Sequence, residues 1–543
     1  MVVIPMPPPP PEQEERSGRH MVAQAYHDPM SAQSRVWAAT AGVVSVGAAL
    51  AVAELIALMV APQSSPLLAV GSLVIDLAPP WAKDAAIALF GTNDKIFLLV
   101  LLSVLLALVA AGAGILHLAA PPGGVLVLGV LGAIAALAVT TRAQATGAWA
   151  IPTVLGITVG CLLLHMLIVR LRRSLPNPNG ATASPSSPSR RGFVALLAGS
   201  AAAVIVVGVG SRLANAATIT TQTIRRAIIL PKPTTAAAPV PAGASLDVEG
   251  ISPLITANEN FYRIDTALQV PAIDPETWRL RIVGMVENEI EIGFDELLAL
   301  PLGESITTLM CVSNEVGGSL IGNALWLGYP IRDLLARARP LAGADMVLSR
   351  SVDGFTASTP LEILQEEDRN AIFAVGMNGE PLPPEHGFPV RMVVPGLYGY
   401  VSATKWVTQL EVTTFDQASA YWTDRGWSER GPVKIGSRID VPTNRASMTA
   451  GSIAVAGVAW AQHTGIRGVQ VRVDGGDWQD ARLATAISSD TWVQWVYQWD
   501  AAAGTHEIEV RATDADGQVQ SGDDVPVVPN GAEGWHSISV TVG

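Results

Sequence analysis

Cys311 is the residue of this 543-residue chain whose type and setting best suit redox or nucleophilic chemistry. It lies in the segment TTLMCVSNEVGG, an apolar run that leads into a glycine-containing turn. The only other cysteine, Cys161, is in a long apolar stretch, and a membrane helix would keep it from reaching Cys311. Two thiols are too few for an iron–sulfur cluster or a cysteine-rich zinc site, and the sequence has no C-x-x-C-H haem attachment motif. A redox centre in this protein therefore uses one thiolate or none.

An unpaired thiol has three interpretations, and the residues alone leave them open. It can be a small hydrophobic residue of the core. In an exported domain, where free thiols oxidise or pair, a metal ligand or a nucleophile explains it better. A nucleophile would need a histidine base close in space. The C-terminal half offers four histidines: His386, His463, His506 and His536.

Four segments of the C-terminal half carry a recognisable pattern. They are Asn258–Pro271 (NENFYRIDTALQVP), Thr308–Gly317 around Cys311, Val352–Ser358 (VDGFTAS) and His386–Trp406 (HGFPVRMVVPGLYGYVSATKW). In this order and spacing, over about residues 247–540, they resemble the sulfite oxidase family, and the all-β tail is similar to that family's dimerisation domain. The resemblance implies Mo-molybdopterin as the cofactor and Cys311 as the thiolate ligand of the metal, which fits the preference of soft metals for soft ligands.

The resemblance also implies which residues surround the cofactor. The pterin and its phosphate would be held by Tyr262, Arg263, Asp353, His386, Arg391, Ala403, Thr404 and Lys405. A buried phosphate needs Arg, Lys and backbone N–H donors, although a salt-bridged strand end would explain Arg391 as well. The implied partners are a small-molecule substrate and, since no haem or iron–sulfur domain is encoded, an external electron carrier such as a membrane cytochrome or quinone carrier. The tail implies a possible homodimer.

Three departures from the family pattern bear on the substrate. Glu315 and Val316 stand where sulfite oxidases have arginines that bind the anion, and Trp427 stands at the family's active-site tyrosine. The histidine after the early arginine is missing, with Asp265 nearby. A carboxylate 4 Å from an anion costs about 4 kcal/mol at an effective dielectric of 20, so a Glu315 in the pocket would disfavour sulfite. We therefore expect oxygen-atom transfer on a small substrate other than sulfite, since an S-oxide, an N-oxide or another uncharged molecule fits better. The alternatives are reduction of S-oxides, as in the related methionine sulfoxide reductases, and sulfite dehydrogenase.

The elements that must position this site follow a membrane-like N-terminal region. Spanning the hydrocarbon core takes about 20 apolar residues. Five stretches qualify or nearly do: Val36–Val60, Ile96–Leu118, Val125–Val139, Trp149–Val169 and Phe193–Val209. A shorter run, Pro66–Leu77, is expected at the membrane interface. Arginines concentrate in the N-terminal tail and after the fourth stretch, which predicts a cytoplasmic N-terminus, five crossings and an extracytoplasmic C-terminal region in the cell membrane.

Polar residues inside these stretches have two interpretations each. Glu54 lies in the first stretch, where a carboxylate is either functional or a protonated, interface-facing side chain. His117 and His165 fall near the predicted cytoplasmic ends of their helices and are either interfacial or the ligands of a haem. The proline run Pro7–Pro11 predicts a disordered, polyproline-type tail that could dock a partner.

A second export signal is predicted in mid-chain. Ser189, Arg190, Arg191 and Phe193 precede an Ala/Gly-rich apolar run, which resembles a twin-arginine signal, the route for proteins that fold around a cofactor before export. The alternative is that the arginines only anchor a helix. Ala214-Asn215-Ala216 resembles a cleavage site, so whether the fifth stretch is retained stays open. Pro231–Ala244 is predicted to be a stiff spacer that lifts the next domain off the membrane.

The predicted architecture is multi-domain. A helical transmembrane region precedes an α+β sulfite-oxidase-like molybdopterin domain and an all-β immunoglobulin-like sandwich. Strands are expected at Trp278–Val283, Ala371–Val375 and Val390–Val394, helices at Phe294–Leu300 and Ile331–Arg337, and alternating strands after Ser447 with a hairpin at Asp474-Gly475-Gly476. The predicted boundaries are a tail at 1–35, four helices in 36–173, linker and fifth span in 174–230, spacer in 231–246, molybdopterin domain in 247–415, connector in 416–446 and sandwich in 447–543.

Composition excludes one class of partner and leaves one non-enzymatic alternative. The net charge of −13, with no basic groove, argues against nucleic-acid binding, because phosphate contacts need clustered Lys and Arg. The remaining alternative to an enzyme is a cofactor-free cell-envelope protein that binds through its β-sandwich.

Overall fold

The computed structural model describes residues 31–79, 82, 89–90, 94–142, 145–174, 194–195, 197–202 and 216–543. These fall into two compact units, Met1–Thr141 with Ala145–Leu213, and Arg142–Gln144 with Ala214–Gly543. Residues 1–30 of the predicted N-terminal tail with its proline run, the twin-arginine-like motif and most of the fifth predicted span lie outside the described residues. The last residues of the predicted tail, 32–35, belong to the first helix.

The first unit consists of apolar helices. Its described helices are α1 (Ala32–Val60), α2 (Pro66–Leu77), α3 (Asp94–Ala119), α4 (Gly123–Thr140) and α5 (Ala150–Ser174). Four of them, all but α2, are long and apolar enough to cross a membrane, and they coincide with the first four predicted spans. Helices α1 and α3 pack through small residues, since a Cβ at Gly42 would overlap the Ala110 carbonyl and one at Gly114 the Ala38 carbonyl. Close backbone approach of this kind is typical of helix pairs in membranes.

The polar residues of this unit pair with one another. The ring nitrogens of His117 (Nε2) and His165 (Nδ1) are 3.3 Å apart. The Ser65 hydroxyl donates to the Glu54 carboxylate at 2.6 Å. Each of these side chains therefore has at least one polar partner within its own helix bundle, as expected in apolar surroundings.

Residues 216–244, which precede the central domain, are hydrogen-bonded to both domains that follow. In α6 (Ala216–Ala227), Arg225 donates to the carboxylate of Glu380 at 2.8 Å. Further on, the Thr234 amide donates to the Leu302 carbonyl at 2.7 Å. The Thr485 amide donates to the Gly243 carbonyl at 3.0 Å. Pro231–Ala244 is therefore hydrogen-bonded to the chain that follows, whereas an isolated proline-rich segment would leave its amides and carbonyls unpaired. Its role as a stiff spacer between the membrane and the next domain stays a prediction.

The central domain is α+β, as predicted. Its strands are β1 (Arg279–Gly284), β2 (Ile290–Gly293), β3 (Gly303–Met310), β4 (Ile321–Pro330), β5 (Met346–Ser351), β6 (Thr356–Pro360), β7 (Ile372–Met377), β8 (Glu380–Pro381), β9 (Arg391–Val393) and β10 (Val407–Thr413). Its helices are α7 (Phe294–Leu298), α8 (Ile331–Ala338), α9 (Leu361–Gln365) and α10 (Gly399–Ser402). One sheet has the order β2-β1-β10-β5-β6, with β1 and β10 parallel, and the other has the order β3-β4-β7-β8, with β9 also paired to β7. A shared core that includes Trp278, Phe373 and Trp406 fills the space between these elements.

The C-terminal domain is a β-sandwich. Its strands are β11 (Gly436–Val441), β12 (Ser447–Met448), β13 (Gly451–Trp460), β14 (Ile466–Val473), β15 (Gln479–Asp480), β16 (Arg482–Leu483), β17 (Val493–Ala501), β18 (Gly504–Asp514) and β19 (His536–Val542). They form a four-stranded sheet, β11-β13-β17-β16, and a five-stranded sheet, β12-β19-β18-β14-β15. The predicted hairpin is confirmed: β14 pairs with β15, and Asp474 and Gly475 have the positive φ angles, 51° and 67°, of a tight hairpin turn.

Candidate active site

Cys311 is the first residue after β3, where the strand gives way to a loop at one wall of a cleft. The backbone fixes it from both sides, because its amide donates to the Leu320 carbonyl at 2.9 Å and its carbonyl accepts from the Asn314 amide at 3.1 Å. The residue is 8% exposed. Burial raises the pKa of the thiol, while bonds from Ser313 lower it. The thiol therefore stays protonated at neutral pH unless a cation draws the proton off.

The structure brings most of the sequence-predicted residues together around this cleft, which has about 900 Å³ of space, counting the part open to solvent. Those lining it are Tyr262, Asp353, His386, Arg391, Ala403, Lys405 and Trp427, with Cys311. Three others do not line it. Arg263 is 39% exposed and pairs with Asp265. Thr404 is fully buried and bonds the Ser349 hydroxyl at 2.7 Å. Glu315 is exposed on the loop after Cys311.

Glu315 lies on the surface and not in the cleft lining, so it does not bear on the charge of the substrate pocket. Asn314 turns its side chain inward to accept from the Leu320 amide at 2.6 Å, and the next residue faces solvent. The repulsion of about 4 kcal/mol expected from a carboxylate in the pocket therefore does not apply. Val316 also points elsewhere, toward the C-terminal domain, where its Cγ2 would be 3.3 Å from a Cβ placed on Gly534.

Arg391 is a buried cation in the cleft. It is 5% exposed, and burial lowers the pKa of its guanidinium to about 10. Its donors reach only backbone carbonyls among the described residues: Met392 at 3.3 Å, His386 at 3.1 Å and Ala403 at 3.5 Å. The alternative of a salt-bridged strand end is thus not what the described part of the chain shows, because no carboxylate there pairs with Arg391. A buried cation without a counter-ion calls for an anionic ligand.

Lys405 lies beside Arg391 with its own counter-ion. Its ammonium is 2.7 Å from the Asp265 carboxylate and donates to the Glu385 carbonyl at 3.1 Å. Burial lowers the pKa of Lys405 to about 8, although Asp265 raises it. Asp265 is the acid that stands near the family's missing histidine, and here it is shared between Arg263 and Lys405.

His386 is neutral in this setting. Burial lowers its pKa to about 4. Its Nε2 lies 2.9 Å from the Asn258 carbonyl, which only accepts, so Nε2 carries the proton and Nδ1 is left as an acceptor. Gly387 makes this close arrangement possible, since it has φ +115 and a Cβ there would approach the Arg391 and Lys405 side chains to 2.9 and 3.2 Å.

An aromatic group, defined as Tyr400, Trp422 and Trp427, lines the cleft as well. The rings of Tyr400 and Trp427 are 5.9 Å apart and those of Trp422 and Trp427 6.1 Å. Cys311 lines the same cleft as this group. Of these three, the family pattern points to Trp427 alone. The aromatic content of YWTDRGW is a signal for Trp422, and Tyr400 lies within the segment His386–Trp406.

The residues present fit molybdopterin, the cofactor that the family pattern implies. Its phosphate would supply the anion that Arg391 lacks, with Lys405 as the second cation. The Nδ1 acceptor of His386 suits the N–H groups of a pterin. Cys311 is the one thiol at the cleft among the described residues, and a soft metal held by the pterin would take it as ligand.

The central domain thus places a thiol, two cations and a neutral imidazole on one cleft. Residues 267–422 match the family described as "Oxidoreductase molybdopterin binding domain", and residues 437–510 match "Bacterial Ig domain". The chain is similar to "Uncharacterized oxidoreductase YuiH" of Bacillus subtilis, 33% identical over 29% of this chain and 76% of that protein. It is 29% identical to mouse mitochondrial sulfite oxidase over 53% of this chain and 62% of that protein. Among solved structures, the sulfane dehydrogenase SoxCD from Paracoccus pantotrophus matches with a TM-score of 0.48 and 23% identity, over 54% of this chain and 82% of that one.

The chain therefore belongs to the sulfite oxidase family of molybdopterin-dependent oxidoreductases. It spans about 62% of the length of the mouse sulfite oxidase that it matches.

Proposed function

We propose that this protein is a membrane-anchored molybdenum-cofactor oxidoreductase that transfers an oxygen atom between water and a small uncharged substrate, with reduction of an S-oxide as the favoured direction. One observation carries the choice of substrate. The described residues that line the cleft include two cations, Arg391 and Lys405, and both belong to the cofactor-binding group. The aromatic group offers flat apolar surface and no further cation, which suits a neutral molecule better than sulfite.

The roles of the protein residues follow from their environments. When bound, the cofactor supplies the two-electron redox chemistry and the site at which oxygen is exchanged. Cys311 would ligate the metal as a thiolate, after losing the proton that burial otherwise retains. Arg391 and Lys405 would hold the phosphate, and His386 would orient the pterin. Tyr400, Trp422 and Trp427 would enclose the substrate and exclude water from the metal.

Asp353 is a largely buried carboxyl group at the wall of the cleft. Burial raises the pKa of its carboxyl group, and Asp265 raises it further, against bonds from Ser351 and Phe355 that lower it. Its Oδ1 accepts from the Phe355 amide at 3.3 Å, which fixes the side chain at the wall of the cleft. The sequence pattern assigns Asp353 to the pterin, and a carboxyl group with a raised pKa can also donate a hydrogen bond to it.

The anchor and the side of the membrane are part of the proposal. Four described helices are long enough to cross, and an even number would return the chain to the side on which it began. The fifth predicted span, Phe193–Val209, is what would carry the oxidoreductase domain outside the cytoplasm, together with the twin-arginine-like motif before it. Electrons would then pass to or from a membrane cytochrome or quinone carrier, the kind of partner that the family resemblance implies.

Activity assays on the full-length protein purified in detergent test the substrate choice. With a reduced viologen dye as electron donor, we expect reduction of dialkyl or methionine S-oxides. With an oxidised dye or cytochrome as acceptor, we expect at least about a hundredfold lower kcat/KM for sulfite. A chain that oxidises sulfite efficiently and leaves S-oxides unreduced would be a sulfite dehydrogenase, and our substrate assignment would be wrong.

A further inference from the structure

The loop that carries Cys311 is braced by the C-terminal domain. Within the loop, the Gly318 amide donates to the Glu315 carbonyl at 2.9 Å and the Leu320 amide donates to the Asn314 side chain at 2.6 Å. These bonds close the loop on itself. They do not tie its outer turn, Val316–Gly318, to the central domain.

Arg438, on β11 of the sandwich, reaches that outer turn. Its Nη1 donates to the Gly318 carbonyl at 2.7 Å. The same guanidinium is held by Asp440 at 2.7 Å from Nε and by Ser252 at 2.8 Å from Nη2. The side chain is 10% exposed. A planar fork fixed at two of its corners presents the third in one direction, so Arg438 restrains Gly318 as a rigid strut.

His536, at the start of β19, packs on Gly317, the residue before Gly318. Gly317 has φ +76, and a Cβ at this position would overlap the His536 ring, so the ring and the loop backbone are in direct contact. The ring is held in turn by its Nδ1, which accepts from the Ile439 amide at 3.0 Å. Glycine is required at 317 for both reasons, the left-handed backbone and the approaching ring.

The strand that leads into Cys311 is bonded to the same domain. The Thr308 amide donates to the Asp490 carbonyl at 3.0 Å, and the Trp492 amide donates to the Thr308 hydroxyl at 2.9 Å. Contacts from the sandwich therefore flank Cys311, three residues before it on β3 and six to seven residues after it on the loop.

We propose that Arg438 and His536 are positioning residues for Cys311, and that the sandwich supports the metal-ligating loop in addition to any role in dimerisation. The inference rests on the proposed role of Cys311 as a metal ligand. A ligand displaced by a fraction of an ångström changes the electronic structure of its metal and the reactivity of the site. Loss of either brace should loosen the loop while the cofactor remains bound through Arg391 and Lys405.

Amide hydrogen exchange of the full-length protein tests the brace without relying on activity. In Arg438→Met, we expect peptides covering 312–320 to exchange at least about tenfold faster, because a charge-assisted bond to the loop is lost. Arg225→Met is the control, since Arg225 also bonds a carboxylate and backbone carbonyls with its side chain 12% exposed, at a site away from this loop. Equal exchange of 312–320 in Arg438→Met and in the unaltered protein would overturn the inference.

His536→Asn is the second variant, in case Arg438→Met fails to fold. Asparagine keeps an acceptor for the Ile439 amide and removes the part of the ring that packs on Gly317. His506→Asn, on the adjacent strand β18, is its control. We expect His536→Asn to shift the Mo(V) electron paramagnetic resonance signal and lower kcat by at least about tenfold with little change in KM, while His506→Asn does neither.

The outcomes separate the two proposals. If the loop exchanges faster but the resonance signal and kcat are unchanged, the contacts are structural and the positioning role is wrong. If the unaltered protein contains no molybdenum, the proposed function fails, and the exchange measurement still reports whether the sandwich braces the loop.

Discussion

Replacement of Arg391 with methionine should separate the stability of the fold from its capacity to hold the cofactor. Methionine is similar in length and fills the same buried volume without the charge. Arg391 is 5% exposed and lies over the Trp326 ring at 5.1 Å, so the methionine side chain would keep an apolar neighbour.

The two effects differ in size. Burial lowers the pKa of Arg391 to about 10, which means that it costs the charged form about 3 kcal/mol. The three bonds to carbonyls, at 3.1 to 3.5 Å, are long and offset part of that cost. Loss of these bonds destabilises the fold and removal of the buried charge stabilises it. The free energy of unfolding of cofactor-free Arg391→Met should therefore lie within about 2 kcal/mol of that of the unaltered protein. Two charge-assisted bonds to a phosphate are worth roughly 3–6 kcal/mol together, which predicts about a 10²- to 10⁴-fold loss of cofactor affinity.

The assay measures molybdenum and pterin per chain after purification, beside urea unfolding of cofactor-free protein. Arg279→Met is a matched control, because Arg279 also donates to backbone carbonyls, at 2.8 and 2.7 Å, and lies outside the cleft lining. Full molybdenum content in Arg391→Met would refute the assignment of Arg391 to the phosphate. A large loss of stability without cofactor would show that the arginine serves the fold.

Three further predictions concern other residues of the cleft. Burial holds the pKa of His386 near 4, against an ordinary 6.5, so as pH falls the unfolded chain takes up this proton before the folded one does. The free energy of unfolding should be unaffected above pH 6.5 and fall by about 3 kcal/mol between pH 6.5 and pH 4. Urea titrations of the cofactor-free protein should show this fall, and those of His386→Gln should not. Burial lowers the pKa of Lys405 to about 8, so the cost of its charge is present below pH 8 and relieved as pH rises from 8 to about 10.5. Over that range the same titrations should show the free energy of unfolding of the unaltered protein rising by up to about 3 kcal/mol relative to Lys405→Met. Parallel curves would show that burial does not lower the pKa of Lys405. Trp427→Arg places a cation in the aromatic group and should raise kcat/KM for sulfite by at least about tenfold while lowering it for S-oxides, and an unchanged ratio of the two would show that Trp427 does not face the substrate.

Local patterns were sufficient to predict much of the fold. Alternation and turn residues placed the hairpin at Asp474-Gly475-Gly476, and apolar runs placed β1, β7 and β9 within one or two residues. The same local reading put Cys311 at the end of a strand before a turn, where it lies. These features depend on the periodicity of neighbouring residues, which a sequence displays directly.

The features that the sequence did not reveal depend on long-range pairing or on the turn of a single residue. Lys405 meets Asp265 across 140 positions, and Arg438 meets Gly318 across 120, so neither pair has a local signature. Glu315 stands where the family has anion-binding arginines, so the resemblance suggests a place in the pocket; in the structure Asn314 faces inward and Glu315 is exposed. Thr404 shares a motif with Lys405, yet its hydroxyl bonds Ser349 in the core instead of lining the cleft.

The proline-rich segment shows the limit of composition as a guide. Prolines and alanines indicate extended chain, whereas Pro231–Ala244 is irregular and ends in a turn, in which the Ala244 amide donates to the Pro241 carbonyl. Composition cannot say what this segment bonds to. In the structure the Thr234 amide and the Thr235 and Gly243 carbonyls are hydrogen-bonded to residues of the two domains that follow.

X-ray absorption at the molybdenum edge, on the full-length protein and on Cys311→Ser, tests most directly that Cys311 ligates the metal. We predict close to one molybdenum atom per chain in the unaltered protein, and one sulfur neighbour fewer around the metal in Cys311→Ser, with the cofactor retained through Arg391 and Lys405. Equal numbers of sulfur neighbours in the two proteins, or no molybdenum in either, would contradict the account.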